Sequence, residues 1–169
     1  MFLRVLIWVV FIIGGSLGGI LLDRRLFYQI RHNIIWHIIS FLIGIILLWF
    51  VMKISGNTGK TLAKYGREGD VPRMETNKIV TEGVYGCMRH PMHLGLMLFP
   101  VSMAFIIGSI SFIVIISPIE ILLIIIMIYL IEEPEAIKKF KNEYHEYKKK
   151  VPFFSFKKEC LKKLLKPPD

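Results

Sequence analysis

The sequence predicts an all-α integral membrane protein with four transmembrane helices, of which the last two form a hairpin. Apolar residues make up 54% of the 169-residue chain, which exceeds the usual share in soluble domains. They occur in long runs, whereas polar residues collect at 53–90 and after residue 131. The length suits one domain, so we predict a single membrane domain over 1–169.

The first two predicted spans lie within residues 1–52. Residues 2–22 are apolar apart from Arg4, and this run is too long for a signal-peptide core, so we predict an uncleaved spanning helix. The glycines of this run have the small-xxx-small spacing that permits close helix approach, although glycine is also simply common in membrane helices. They are Gly14, Gly15, Gly18 and Gly19.

The second span is predicted at 34–52, which is long enough to cross the hydrocarbon core. Trp36 near its start is typical of the membrane interface. His37 beside it is expected to contact lipid headgroups.

The last two spans form a hairpin over 91–131. Its arms are predicted at 91–107 and 111–131, with the turn at Gly108 and Ser109, because the whole stretch is too long for one helix.

Glu120 then lies in mid-span, where a carboxylate is costly and often functional. It would either contact a polar substrate group or be protonated and bonded to another helix, and both alternatives remain open.

Basic residues predict the orientation of the chain. Seven of the 22 lysines and arginines lie between Lys53 and Arg89, and eleven follow Glu133. We therefore place the 53–90 loop, the 132–169 tail and both termini on the cytosolic side, together with any active site that the loop and the tail form. Beside long apolar runs, a net charge of +9 favours anionic lipid headgroups over nucleic acid as a partner.

The cytosolic tail is expected to be amphipathic. Apolar side chains recur at alternating threes and fours, as on one face of a helix; they are Ile137, Phe140, Tyr144, Tyr147 and Val151. The lysine-rich end that follows is expected to lie flat on an anionic membrane surface.

Cys87 and Cys160 have neither metal-ligand spacing nor a disulfide pattern, so we expect reduced thiols and no metal site.

A polar pocket is predicted where the hairpin brings two short motifs together. Arg89-His90-Pro91 opens the first arm, and Glu132-Glu133 follows the second. Such a pocket, with one side towards water and the other towards lipid, suits a reaction that joins a polar cosubstrate to a hydrophobic acceptor.

Linked motifs over residues 53–154 resemble the isoprenylcysteine carboxyl methyltransferase and phospholipid methyltransferase group. They are Val80-Thr81-Glu82-Gly83-Val84-Tyr85, Arg89-His90-Pro91-Met92-His93-Leu94-Gly95, Glu132-Glu133, Phe140 with Tyr144 and Tyr147, and Val151-Pro152. Several motifs in order are more specific than any one of them.

The resemblance implies an integral membrane enzyme that uses S-adenosylmethionine to methylate a lipophilic acceptor. Its implied cofactor-binding residues are Asn77, Lys78, Ile79, Val80, Tyr85, His90, Pro91, Met92, His93 and Glu132. The cofactor carries a sulfonium, an ammonium and a carboxylate. An acidic residue can bind the ammonium, a cationic residue the carboxylate, and an aromatic ring the sulfonium. We assign Arg89 and Glu133 to catalysis, with Arg89 as the cation facing the acceptor. An amine acceptor would also have to lose a proton, for which His93, Glu133 and Glu120 are the alternatives.

The sequence departs from the family pattern at four positions. His93 and Lys141 replace a usual tyrosine and glycine, Phe153 replaces an arginine, and Ile128 stands where prenylcysteine-specific relatives place an arginine. The acceptor therefore remains open among prenylcysteine carboxylate, phospholipid amine, isoprenoid and thiol. The alternative to an enzyme is a small membrane protein that recruits anionic lipid or a partner through its basic tail.

Overall fold

The structure is a computed structural model that describes residues 2–72 and 75–168, with side chains from residue 8 onward. Arg73 and Met74, which belong to the predicted cytosolic loop, lie outside the described residues, as does the side chain of Arg4. Across the described residues helices are the only regular secondary structure. The chain forms two compact units, Met1–Val51 with Leu96–Ile125, and Met52–Gly95 with Ile126–Asp169.

In the part of the chain that the structure describes, seven α-helices and two π-helical turns follow one another. The turns lie at Phe112–Ile116 and Ile128–Glu132 and are continuous with the helices around them. The α-helices are α1 (Phe2–Leu26), α2 (Tyr28–Arg31), α3 (Ile34–Tyr65), α4 (Pro91–Ile107), α5 (Ser117–Met127), α6 (Glu133–Lys150) and α7 (Lys158–Leu165).

Two helical runs among the described residues are long and apolar enough to cross a membrane. They are Ile34–Tyr65 and Phe112–Lys150, whose most apolar windows are only 17% and 22% buried within the protein. Most of their apolar side chains therefore face outwards, as lipid-facing side chains do. Pro91–Ile107 is a shorter apolar helix. The last run does not end at Ile131, where the predicted span ends, but continues as helix to Lys150.

In the first unit, glycines let α1 approach the second arm of the hairpin closely. A Cβ atom at Gly19 would lie 2.6 Å from the Ser109 hydroxyl oxygen and 2.7 Å from Cβ of Phe112, and Gly15 faces the Phe112 ring in the same way. Gly14 has nothing within 4 Å. Gly15 and Gly19 therefore permit the close approach of α1, as the small-xxx-small spacing predicts.

The predicted break between two helices at Gly108 and Ser109 is confirmed. Gly108 has a φ of +74°, a conformation that glycine adopts at no steric cost. Its carbonyl accepts a hydrogen bond from Nε1 of Trp36 at 2.8 Å, and the His37 ring lies beside it. Nε2 of His37 lies 2.7 Å from the carbonyl oxygen of Arg31. Both aromatic side chains thus bind protein groups in the first unit, where the sequence suggested interfacial and headgroup roles.

Helix α3 extends through Tyr65, so the prediction that the polar loop begins at residue 53 is wrong. Ile54, Thr58 and Thr61 are buried at helical spacing, and each threonine hydroxyl donates to the carbonyl four residues earlier. This buried face is largely polar, so a hydropathy pattern does not reveal it.

The predicted amphipathic tail helix is confirmed in α6. Tyr144, Tyr147 and Val151 form a buried cluster against which Ile79 and Phe140 pack. The helix is kinked at Lys141, which has a φ of 50° and a ψ of −125°. A lysine is strained in this region, and a glycine is not. Lys141 occupies the position where the family pattern has glycine.

The prediction of two reduced cysteines is wrong in this structure. Cys87 and Cys160 form a disulfide, with a Cα–Cα distance of 5.6 Å. They are 73 residues apart in sequence, so only the packing of α7 within the second unit brings them together.

We expect Gly19→Ala to lower the thermal unfolding temperature of the detergent-solubilised protein, because its Cβ would displace Ser109 or Phe112. Gly14→Ala is the matched control. Its side chain enters open space and gains up to about 1 kcal/mol of helix propensity, so its unfolding temperature should not fall. Equal effects of the two substitutions would contradict the close packing of α1.

We expect Lys141→Gly to raise the free energy of unfolding by about 1 kcal/mol, since it removes strain of roughly 1–3 kcal/mol at the kink but adds backbone entropy. Lys138→Gly, at an exposed helical position on α6, should cost about 1 kcal/mol. Chemical denaturation of both variants tests this, and a loss of stability in Lys141→Gly as large as that in Lys138→Gly would contradict it.

Candidate active site

The second unit contains a buried cluster of charged side chains around Glu133. Arg89 donates from Nε and Nη2 to Oε1 of Glu133 at 2.9 and 2.8 Å. Nε2 of His90 lies 3.3 Å from the same oxygen. Nζ of Lys148 donates to Oε2 at 2.5 Å. The carboxylate at the start of α6 therefore joins two residues that directly precede α4 to one in the last turn of α6.

Backbone pairing with the segment after α6 fixes the position of Arg89 and His90. The amide of Arg89 donates to the carbonyl of Pro152 at 2.9 Å, and that of His90 donates to the carbonyl of Phe153 at 3.4 Å. Arg89 also donates from Nη1 to the carbonyl of Val151 at 2.7 Å. The predicted Arg89-His90 motif is thus held against a segment 60 residues later in the chain.

Glu133 begins α6 directly after the π-helical turn Ile128–Glu132. A π turn inserts one residue relative to α-helical spacing and is frequent at functional sites. The Glu133 side chain is only 2% exposed, whereas Glu132 is half-buried. The structure therefore places Glu133 at the centre of the cluster. The assignments of Glu133 to catalysis and of Glu132 to cofactor binding stay predictions.

Three hydrogen-bonding partners keep Glu133 ionised. Burial would raise the pKa of this carboxyl, but hydrogen bonds from Lys148, Arg89 and His90 outweigh it and lower the pKa below its ordinary value. A carboxylate held in this way is a weak proton acceptor. Together Arg89, Lys148 and Glu133 carry a net charge of +1, so the cluster favours an anionic ligand group.

His90 is the neutral member of the cluster. Burial lowers its pKa below 6.5, although the bond to Glu133 opposes this shift. A neutral His90 donates from Nε2 to Glu133, which leaves Nδ1 as an acceptor. Its ring lies 4.7 Å from the Phe153 ring and 5.7 Å from the His93 ring. These rings supply aromatic surface beside the charges.

Two tyrosines of α6 line the same region. Tyr147 donates from its hydroxyl to the carbonyl of Tyr85 at 2.6 Å. Tyr144 is 5% exposed. Its buried hydroxyl lies close enough to Glu133 and Arg89 to interact with them, but it makes no hydrogen bond of normal geometry among the described residues. Burial, followed by the nearby Glu133 carboxylate, raises the pKa of Tyr144 to about 12. The hydroxyl is therefore a protonated donor that a polar ligand group would satisfy.

The remaining predicted cofactor residues have distinct surroundings. Both amide atoms of Asn77 bond the backbone of Glu68, and Lys78 lies 3.9 Å from the Glu68 carboxylate. Ile79 packs on the tyrosine cluster. Four more are buried or half-buried in the second unit: Val80, Tyr85, Pro91 and Met92. The cluster thus includes His90 and adjoins His93, while Asn77 and Lys78 are engaged with Glu68.

Sequence reasoning missed Lys148 and Phe153 as members of the site. Lys148 lies in a run of three lysines, which carries no signal for a buried contact. Phe153 was noticed only as a departure from an expected arginine, although Arg89 stacks over its ring at 5.6 Å. Tyr144 was assigned to an apolar face, and its unpartnered hydroxyl could not be inferred from that pattern.

The pH dependence of stability tests the state of the cluster. Because His90 has a lowered pKa in the folded protein, the unfolded chain binds its proton more readily. The contribution of His90 to the free energy of unfolding is therefore fully present above pH 6.5. It is lost as the pH falls from 6.5 through the lower pKa that His90 has in the folded protein. Glu133 also has a lowered pKa in the folded protein, so the unfolded chain takes up its proton first. Its contribution to the free energy of unfolding is therefore present above pH 4.5 and is lost as the pH falls below that value.

We therefore expect the thermal unfolding temperature to fall in two phases on acidification. His90→Gln should remove the first phase, and Glu133→Gln should remove the second while lowering stability by up to about 3–5 kcal/mol, because Arg89 loses its counter-charge. His145→Gln, exposed on α6, is the control and should keep both phases. An unchanged profile in His90→Gln would contradict this assignment.

The comparison with known proteins agrees with the motifs in this site. The family model of phospholipid methyltransferases matches residues 34–143, which is about two thirds of the chain and includes Arg89, His90 and Glu133. No curated protein and no solved structure matches the chain. Since the family match covers more than half of the residues, the chain belongs to the phospholipid methyltransferase family, within the isoprenylcysteine carboxyl methyltransferase and phospholipid methyltransferase group.

Proposed function

We propose that this protein transfers a methyl group from S-adenosylmethionine to a lipophilic acceptor at the cytosolic face of the membrane. The observation that carries the proposal is the cluster of Arg89, His90 and Lys148 around Glu133, within a chain of a methyltransferase family. Methyltransferases in general use S-adenosylmethionine.

The proposed topology has four spans, formed by α1, α3, α4 and the helical run from residue 110 to Ile131. Two of these pass the length and hydropathy criteria among the described residues. Four spans put both termini on one side, and the basic residues of 53–90 and 132–169 make that side cytosolic under the positive-inside rule. The active site then faces the cytosol.

The residues of the second unit fit the polar parts of S-adenosylmethionine. Its carboxylate matches the excess positive charge of Arg89 and Lys148 around Glu133. The unpartnered hydroxyl of Tyr144 would donate to an acceptor atom of the bound molecule. The rings of Phe153 and Tyr85 supply the aromatic surface that a sulfonium prefers. When bound, the cofactor supplies an electrophilic methyl group.

Glu133 acts in this proposal by holding other groups in place. It orients the Arg89 guanidinium and keeps His90 in the tautomer with a free Nδ1. Arg89 and Lys148 bind anionic groups, and the buried aromatic residues exclude water, so that alignment of donor and acceptor provides most of the rate. If the acceptor is an amine, His90, whose pKa is lowered by burial, or the adjacent His93 is better suited than Glu133 to accept its proton.

A lipophilic acceptor is supported by the apolar residues that precede the site. Tyr129, Leu130 and Ile131 are 62%, 67% and 44% exposed directly before Glu132. Within a membrane, these side chains would face acyl chains beside the charged cluster. The basic tail would add attraction to anionic headgroups. Nothing in the reaction calls for nucleic acid or metal.

Binding of S-adenosylmethionine to the purified protein in detergent tests the proposal. Isothermal calorimetry should show saturable binding, and incubation with methyl-labelled cofactor and a total lipid extract should label a lipid. A folded protein that neither binds the cofactor nor labels any lipid would overturn the proposal.

Two tyrosine variants sharpen the test. Tyr144→Phe removes a hydroxyl that makes no hydrogen bond among the described residues, so it should weaken cofactor binding a few-fold (about 0.5–1.5 kcal/mol) and lower the unfolding temperature less than Tyr147→Phe does. Tyr147→Phe is the matched control. It removes the bond to the Tyr85 carbonyl and should lower the unfolding temperature. Loss of stability in Tyr144→Phe without a change in affinity would contradict the role of Tyr144.

A further inference from the structure

Helix α7 lies outside the residues matched by the family model and is fixed within the second unit by two long-range bonds. Cys160 is bonded to Cys87, and the carbonyl of Leu164, one turn later, accepts a hydrogen bond from Nδ2 of Asn57 at 3.1 Å. Cys160 and Leu164 are 6% and 2% exposed. The apolar face of α7 is thus buried in protein, where the sequence suggested that it lies on lipid.

A cavity of about 300 Å³ lies beside the end of α7, and we call it the α7 cavity. It is lined by Thr61 and Tyr65 of α3, by Gly83 and by Lys163 and Lys166. Gly83 has a φ of +60°, so this wall turns sharply and carries no side chain. The cavity is distinct from the cluster around Glu133, because the two share no lining residue.

The charges around the α7 cavity have one sign. Both lysines are exposed at its edge, and no acidic residue is among the lining residues that the structure describes. Within residues 2–72 and 75–168, neither lysine forms an ion pair. A lysine ammonium binds phosphate as a compact charge. The volume is at the small end of the range for ligand pockets, which suits one headgroup-sized anion.

We propose that the α7 cavity binds a phosphate group, carried either by a glycerophospholipid headgroup or by a small soluble phosphate ester. Lys163 and Lys166 supply the charge, and the two long-range bonds of α7 hold that charge over the cavity instead of leaving it on a mobile tail. This site is independent of the methyl-transfer proposal, since it uses none of the residues assigned to that reaction.

The test compares two pairs of lysines on the same segment. Lys163→Gln with Lys166→Gln removes the two charges at the cavity. Lys158→Gln with Lys162→Gln removes two exposed charges of α7 that do not line it. Each double variant is made in the full-length protein, and its unfolding temperature confirms that it is folded.

Two probes distinguish the sources of phosphate. Glycerol 3-phosphate is titrated into the detergent-solubilised protein and followed by ³¹P NMR. Phosphatidylglycerol binding is followed by native mass spectrometry of protein in nanodiscs that contain phosphatidylglycerol and phosphatidylcholine. We expect the cavity pair to weaken binding of at least one probe by about tenfold or more, and the control pair to change it by less than about twofold.

The pattern of binding decides the proposal. Binding of glycerol 3-phosphate identifies a soluble ester as sufficient, and binding of phosphatidylglycerol alone identifies the lipid headgroup. Equal losses in the two pairs would show diffuse attraction by surface lysines and would overturn the proposal. The absence of binding of either probe to the folded wild-type protein would overturn it as well.

Discussion

The carboxylate of Glu133 is the contact on which the rest of the second unit depends. Arg89 and His90 reach it from before α4, and Lys148 reaches it from the end of α6. A buried carboxylate is costly without partners, and here every partner is a positively charged or hydrogen-bonding side chain. Removal of any one partner leaves a buried group less well satisfied, and that cost couples the segments that carry these residues.

Several unusual features of the backbone serve this contact. The π-helical turn Ile128–Glu132 precedes Glu133, and the helix that follows is kinked at Lys141 before it returns Tyr144 and Lys148 to the cluster. The extended residues after α6 then pair with the backbone of Arg89 and His90. Irregular backbone of this kind is expensive, and its concentration around one charged cluster agrees with a functional role for that cluster.

The chemistry of methyl transfer explains why such a cluster suits this family. The reaction requires alignment of two reactants and exclusion of water more than it requires a strong acid or base. Glu133, with its lowered pKa, is suited to holding neighbours in place. His90, whose pKa is also lowered, is the group in the cluster that remains neutral and able to accept a proton.

The hydropathy pattern located α4 and the Gly108 turn well, because long apolar runs and a glycine turn are local signals. It missed the extension of α3 to Tyr65, because the buried face there consists of Thr58, Thr61 and Asn57. A polar face bonded to its own helix and to distant groups has no hydrophobic period. Likewise, the motif that contains Arg89 and His90 was visible, but their link to Lys148 was not, because that lysine looks the same as its neighbours in sequence.

By itself, the sequence determined that the protein is helical and apolar enough for a membrane, and its motifs determined the family. These properties follow from composition, periodicity and short spacings along the chain. Only the tertiary structure decided that Glu133 lies at the centre of the cluster, that Cys87 meets Cys160, and that the buried Tyr144 hydroxyl makes no hydrogen bond among the described residues. Such facts depend on contacts between residues far apart in the chain, and on the burial that those contacts create.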